Sequence, residues 1–526
     1  MPAEALARLR PSKPRSFVPE NIHLGDWASV KPLFEKLEAA AASIKTAKEL
    51  ERWVLDASEL GAALDQEGAC RYVSMTCQTD DAEIEKAYLH FVETLDPNAK
   101  PHWHRIKELF LGIPAHKELP SKRWMVFTRA VKNDVELFRL ETIPLQMEET
   151  KLEQQYQKTM AAMTVPFQKK EQTLQQMGRH LEETDRTLRQ QAWKLIAARR
   201  LKDKLKIEDI FDAQLKLRSQ IAANAGLPNY RDYAFRARGR FDYTPKECDA
   251  FHEAVSELVV PLARETQKRR ATLLGVETLR PWDLAVDVRN RQPLRPFSDT
   301  ETMVEKCHAI FRKIDPVLAD EFELMRKHGL LDLDSRKGKA PGGYQCSLEE
   351  ARLPFIFMNA VGLQRDVDTM LHEAGHAFHA LAAREEPLLS YRSAPIEFCE
   401  VASMSMELLG SPHLTEFYSP EDAARARRTH FEGIIALLPW VATIDAFQHW
   451  IYTHEGHSRE ERKATWLGLL DRFGGIESFS GYEDARAAMW HRQEHLFGMP
   501  FYYIEYGIAQ LGALQLWLNS KKDLGS

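Results

Sequence analysis

The chain has 526 residues, 44% hydrophobic and 28% charged, with a formal net charge of −6. That composition excludes wholesale disorder, and the slightly acidic balance lacks the basic excess of a nucleic-acid binder. The length exceeds what one simple hydrophobic core supports, so roughly two to four structural units are expected.

The N-terminal segment MPAEALARLRPSKPRSFVPE carries positive charge but no apolar run of leader length. No stretch approaches the roughly 20 apolar residues that span a bilayer. Cys70, Cys77, Cys248, Cys307, Cys346 and Cys399 are scattered, with no CxxC pair, so neither a disulfide framework nor a thiolate zinc site is expected. A cytoplasmic protein with no membrane and no nucleic-acid partner fits these features. Cys399 reads as a small buried residue.

From Trp27 to about Leu64, apolar residues recur at three and four spacing (Leu33, Leu37, Ala40, Ile44, Ala47, Leu50, Val54), which predicts helix. Asp80-Asp81 opens another helical run through Ile84, Tyr88, Phe91 and Val92. Glu148 to Gln157 is rich in Glu, Gln and Lys, as in an exposed helix. Pro166 interrupts the pattern, and Met163 to Phe167 reads as a short strand or a turn. Glu183-Thr184-Asp185 offers capping side chains to a helix reaching about Lys202. No heptad is sustained, which favours a helical hairpin inside a globular molecule over a coiled coil. The Pro-rich stretch Arg280 to Pro296 reads as a long ordered loop, and Leu331 to Ser347 as a loop rich in Gly and Lys. Arg352 to Ala360 is the best strand candidate, and its Pro354 predicts an edge strand able to pair with an extended substrate backbone.

From Asp366 the pattern is helical again, and DVDTMLHEAGHAFHALAA contains H-E-x-x-H at His372, Glu373 and His376. Residues four apart return to the same helix face, so both imidazoles reach one metal ion while Glu373 sits one step round, beside a water rather than on the metal. Two His and no Cys suit a catalytic zinc. His379 reads as a packed helix residue. A third His at position 382 would define another zinc-peptidase class, but that position is Ala382. Glu397, Glu400 and Glu407 compete for the third ligand in SAPIEFCEVASMSMELLG, and spacing leaves Glu397 and Glu400 both open.

HEAGHAFH followed by EVASMSMELL resembles the thimet oligopeptidase and oligoendopeptidase F family of zinc peptidases. The resemblance makes His372, His376 and Glu400 the ligands of one Zn2+ per chain and Glu373 the general base. Glu407 and Asp368 become candidates to orient a ligand. GGYQCSLEEARLPFIFMN resembles the family's G-x-Y loop and following strand, which gives Gly343 and Tyr344 a substrate-binding role. HLFGMPFYYIEYGIAQ resembles its C-terminal H-x-x-x-x-P-F-Y-x-Y-x-Y block, so His495 and Tyr506 assist catalysis and Tyr502 binds substrate. The middle Tyr of that block is Ile504 here, with Tyr503 one place earlier, so the identity of the second assisting Tyr stays open. The fold implied is mainly α: an elongated two-lobed helical zincin-type peptidase with a small β-sheet beside the zinc helix and a deep substrate channel. Residues 1–200 are expected to form part of the channel wall and residues 201–526 the catalytic region. The implied activity is zinc-dependent endopeptidase action on short oligopeptides. The alternatives are a zinc carboxypeptidase or other zincin, and a non-catalytic helical binding protein.

Overall fold

The computed structural model describes residues 2–522, most of them helical. The apolar run from Trp27 is divided into helices Trp27–Ala41 and Ala47–Cys77. The break lies at Thr46, whose hydroxyl accepts from the Glu49 N–H while the Glu49 carboxylate accepts from the Thr46 N–H. This reciprocal box satisfies donors that open a new helix, and its T-x-x-E pattern was present in the sequence. The second of these helices joins two cores. Leu50, Trp53 and Leu60 pack among the N-terminal helices, while Val73 and Cys77 reach the core around the central sheet.

Helix Thr142–Ala161 contains the polar run expected to be exposed, yet Gln154, Tyr156 and Gln157 are buried. The polarity serves an inward face, because Gln157 lines the central cavity. β1 (Thr164–Phe167) and β2 (Lys170–Thr173) form an antiparallel hairpin whose two turn residues, Gln168 and Lys169, both have positive φ. That is the turn type whose twist matches paired strands. Asp185 caps helix Arg186–Lys202 by accepting from Thr187 and Leu188 N–H.

The stretch Leu331 to Ser347 is not wholly loop: β3 (Leu331–Asp334) opens it and β4 (Tyr344–Leu348) closes it. With β5 (Leu353–Ala360) they form a sheet in the order β3-β5-β4, β3 parallel and β4 antiparallel to β5. β5 is therefore the central strand, not an edge. Pro354 is tolerated because the Ile356 N–H points toward Leu330 on the β3 side, and two residues earlier that side lies before β3 begins. The edge strands are β3 and β4, and β4 is the one that borders the cavity.

Helix Pro420–Thr453 is long and apolar enough to span a bilayer by composition, contrary to the reading from sequence, but 67% of its most apolar window is buried inside the protein. It anchors a third core with Phe447, Trp466, Trp490, Phe497 and Phe501. A cavity of about 440 Å³ is lined by residues from the central sheet, the N-terminal helices and the C-terminal block.

Candidate active site

β5 leads into helix Gln364–Ala382 through Gly362, whose φ of 86° favours glycine. The Asp366 carboxylate accepts from the N–H groups of Val361 and Leu363 and closes the turn. The helix then projects His372 and His376 from one face, their ring centroids 4.9 Å apart. Glu400 stands at the N-cap of helix Val401–Gly410, which packs directly on the first helix. Gly375 makes that approach possible, since a Cβ there would lie 2.6 Å from Ser403 Cα.

The Nε2 atoms of His372 and His376 each lie 3.1 Å from Glu400 Oε2. All three donors lie within 4.8 Å of one another. Bonds of about 2.0–2.2 Å to a tetrahedral zinc space such donors by roughly 3.3–3.6 Å, so this set fits a catalytic zinc with one position left open. Glu397, the competitor by spacing, is not in this group. Burial alone would raise the Glu400 carboxyl, but hydrogen bonds with His372 and His376 hold it well below the usual range. Its other oxygen accepts from the Tyr502 hydroxyl at 2.6 Å. Tyr502, expected to bind substrate, thus holds the Glu400 carboxylate as well as lining the cavity.

His372 Nδ1 lies 2.7 Å from Glu407 Oε1, and Glu407 Oε2 lies 2.7 Å from His430 Nε2. Glu407 therefore orients the His372 ring and fixes its tautomer. His430 is absent from the sequence reading, because it comes from the distant helix Pro420–Thr453 with no motif around it. Asp368 accepts from the Gln364 side-chain amide, and burial pushes its carboxyl up to about 7.

Glu373 is 5% exposed, and its Oε2 has no hydrogen-bond partner. Burial pushes its carboxyl up, with His372 and His376 opposing. Gly343 lies against it, for a Cβ there would sit 3.3 Å from Glu373 Oε1. Tyr344 stacks on Phe357 and bonds through its hydroxyl to Thr76 at 2.6 Å, fastening β4 to the N-terminal helices.

On the opposite wall, His495 Nε2 lies 3.0 Å from the Tyr506 oxygen, and His495 Nδ1 lies 2.9 Å from the Gln493 amide nitrogen. Trp440 Nε1–H donates to Gln493 Oε1 at 3.1 Å, so the amide must turn its NH2 to His495. His495 Nδ1 then accepts and Nε2–H donates to Tyr506. The Tyr506 O–H proton is left for the cavity. Burial depresses His495 to about 4, which keeps the ring neutral near pH 7. Trp440 and Gln493 carry no motif and were not singled out from sequence.

His372, Glu373, His376, Glu400, His495, Tyr506, Tyr502, Gly343 and Tyr344 all line this one cavity. Tyr503 does not. It is buried behind the wall, with its ring against His495 and Tyr506 and its hydroxyl toward Trp440 and Gln493. The start of the terminal helix Ile504–Ser520 turns it inward. His379 and Cys399, read as packed residues, are half-buried on the cavity lining, because their elements border the opening. Glu153 and Glu494 also line it, and burial pushes both carboxyls up to about 7.

A family model described as Peptidase family M3 matches residues 179–525, and one described as Peptidase M3 N-terminal domain matches residues 17–138. The chain is 22% identical over 285 residues to an oligoendopeptidase F homolog of Borreliella burgdorferi, covering 52% of this chain and 46% of that protein. It is 25% identical over 177 residues to an oligoendopeptidase F homolog of Lactococcus lactis subsp. lactis, covering 34% of this chain and 29% of that protein. The matches thus span less than half of these relatives' length. Among solved structures, PZ peptidase A with an inhibitor superposes with a TM-score of 0.92 at 26% identity, over 99% of this chain and 90% of that one. Oligoendopeptidase-F from Enterococcus faecium shares the fold, with a TM-score of 0.58 at 15% identity over 94% and 86% of the two chains.

Proposed function

The chain belongs to peptidase family M3, and from that premise we propose that it is a zinc-dependent endopeptidase acting on internal bonds of short oligopeptides. The observation that carries the proposal is the convergence of His372, His376 and Glu400 on one point beside a buried Glu373 oxygen without a partner. Those three side chains would hold one zinc, which supplies Lewis acidity toward a peptide carbonyl and lowers the pKa of water to about 7.

The chain's own groups do the rest. Glu373 takes a proton from the attacking water and passes it to the leaving amine, a role served by a carboxyl whose burial has raised its proton affinity. Tyr506 donates its free hydroxyl proton to the carbonyl oxygen as negative charge develops there, and His495 holds that hydroxyl in place. Glu407 and Tyr502 position His372 and Glu400. The free edge of β4 takes an extended substrate by backbone pairing, with Gly343 allowing close approach to Glu373 and Tyr344 forming the floor. Residues 1–200 act as part of the channel wall through Tyr72, Thr76 and Gln157, and residues 201–526 carry the chemistry. Six free cysteines suit a reducing cytoplasm.

An internally quenched peptide assay with and without chelator, paired with zinc analysis, tests this reading. Glu373→Gln is expected to keep its metal and lose about 100- to 10,000-fold in kcat/KM. Near-normal turnover by that variant would overturn the mechanism. Release of only carboxyl-terminal residues would favour a carboxypeptidase instead.

A further inference from the structure

A second cluster of metal-ligating side chains lies outside the cavity described above. Cys248 and His252 stand one turn apart on helix Pro245–Ala254, and Asp445 and His449 one turn apart on helix Pro420–Thr453. The two helices pack together and bury all four, with Asp445 wholly inaccessible and Cys248 1% exposed. Donor atoms of Cys248, Asp445 and His449 lie within 4.8 Å of one another. His252 Nε2 lies 2.8 Å from Asp445 Oδ2, holding that oxygen.

Two atoms in this cluster are buried and lack a hydrogen-bond partner: Asp445 Oδ1 and His449 Nε2. His449 Nε2 lies 3.3 Å from Asp445 Oδ2, an ion-pair contact longer than the His252 contact to the same oxygen. A buried carboxylate oxygen and a buried imidazole nitrogen that lack well-formed hydrogen bonds are each destabilising. One cation between them and the neighbouring thiol satisfies both. A tetrahedral ion with bonds of about 2.0–2.3 Å places its donors roughly 3.3–3.8 Å apart, so a contraction of at most about 1.5 Å suffices. Sulfur, nitrogen and carboxylate donors together select a borderline-soft divalent ion such as zinc over magnesium or calcium.

We propose that Cys248, Asp445 and His449 bind a second zinc ion, structural in role, with His252 orienting the Asp445 carboxylate. On binding, the Cys248 thiol proton is released to solvent and an S–Zn bond forms. The ion would clamp the two helices beneath the segment that carries Tyr502 and Tyr506. The His449 ring packs edge-on against Phe501 at 5.4 Å, and Gln448 Oε1 accepts from the Phe501 N–H at 2.5 Å, where the chain turns at a φ of 64°.

The test is metal content and cobalt spectroscopy on the full chain reconstituted in zinc or cobalt(II). Wild type is expected to hold about two zinc equivalents, the His372→Ala/His376→Ala variant about one, and that variant with Cys248→Ser added almost none. The HExxH donor set contains no sulfur, so a near-ultraviolet thiolate-to-cobalt charge-transfer band that survives loss of both its histidines reports a thiolate outside that site. The band should persist in His372→Ala/His376→Ala and vanish in Cys248→Ser. A folded His372→Ala/His376→Ala protein that takes up no metal, or a wild-type cobalt protein without the band, overturns the proposal. The spectrum of His372→Ala/His376→Ala decides the matter even if Cys248→Ser does not fold. About one equivalent together with the band would support this site and count against zinc at the HExxH helix, which keeps the two readings separable.

Discussion

Trp440 donates to Gln493 Oε1, which leaves the amide N–H for His495 Nδ1 and the His495 Nε2–H for Tyr506. A Gln493→Glu change removes the donor to Nδ1. The ring then carries its proton on Nδ1 and draws the Tyr506 hydroxyl proton to Nε2, away from substrate. We expect kcat to fall about 10- to 100-fold with little change in KM, and Tyr506→Phe to cost about 100- to 1000-fold in kcat. Equal losses in kcat for a peptide substrate and in thermal stability would instead mark Gln493 as structural. Glu407→Gln leaves His372 and His430 without their shared carboxylate, so zinc affinity should drop about 10- to 100-fold in competition with a fluorescent chelator. His372, Glu373 and His376 were legible in the sequence because one helical period brings them together. The relay through Gln493 and Trp440 was not, since it is assembled by tertiary contacts between segments 53 residues apart.

Helix on helix, the geometry depends on Gly375. A methyl group there would meet Ser403 Cα at 2.6 Å and Ala402 O at 2.8 Å, both backbone and unable to swing aside. Gly375→Ala must push Glu400 away from the two histidines, costing about 1–3 kcal/mol in stability. Calorimetry and zinc retention should fall together, whereas a surface effect would leave zinc retention intact. The same packing explains why Glu397 and Glu400 could not be separated by spacing: a 3-10 turn, Ile396–Phe398, precedes the helix and breaks the period. β5 was read correctly as a strand and misplaced at the edge, because Pro354 reports only its own missing donor and not where β3 ends. A second element-level effect concerns charge. Glu153 on helix Thr142–Ala161 and Glu494 ahead of His495 are pushed up to about 7 by burial, so they are protonated below that pH and ionised above it. Cleavage of a Lys-containing peptide relative to its neutral analogue should rise roughly five-fold between about pH 6 and about pH 8. Glu494→Gln should flatten that ratio.

For the whole molecule, the cavity lies beside the core of the central sheet and the C-terminal core, and Tyr344 on its lining is tied to Thr76 of the N-terminal helices. Under the proposed function, a space of about 440 Å³ would take an extended peptide rather than a folded domain. An intact folded protein should therefore survive incubation that degrades its unfolded fragments, as read by mass spectrometry, and cleavage of the folded form would discard the channel argument. The mainly helical fold was legible from periodicity, but the inward-facing polar residues of helix Thr142–Ala161 were not, because a polar surface toward a channel looks like one toward solvent. The open side of β4 carries a further consequence for timing. A backbone can add to that edge only as a strand, so peptides of equal length would be sorted by how readily they abandon other conformations. In a mixture of fragments, survival would track residual helicity more than residue identity, and the protein would act late, on chains that some earlier proteolysis has already stripped of structure.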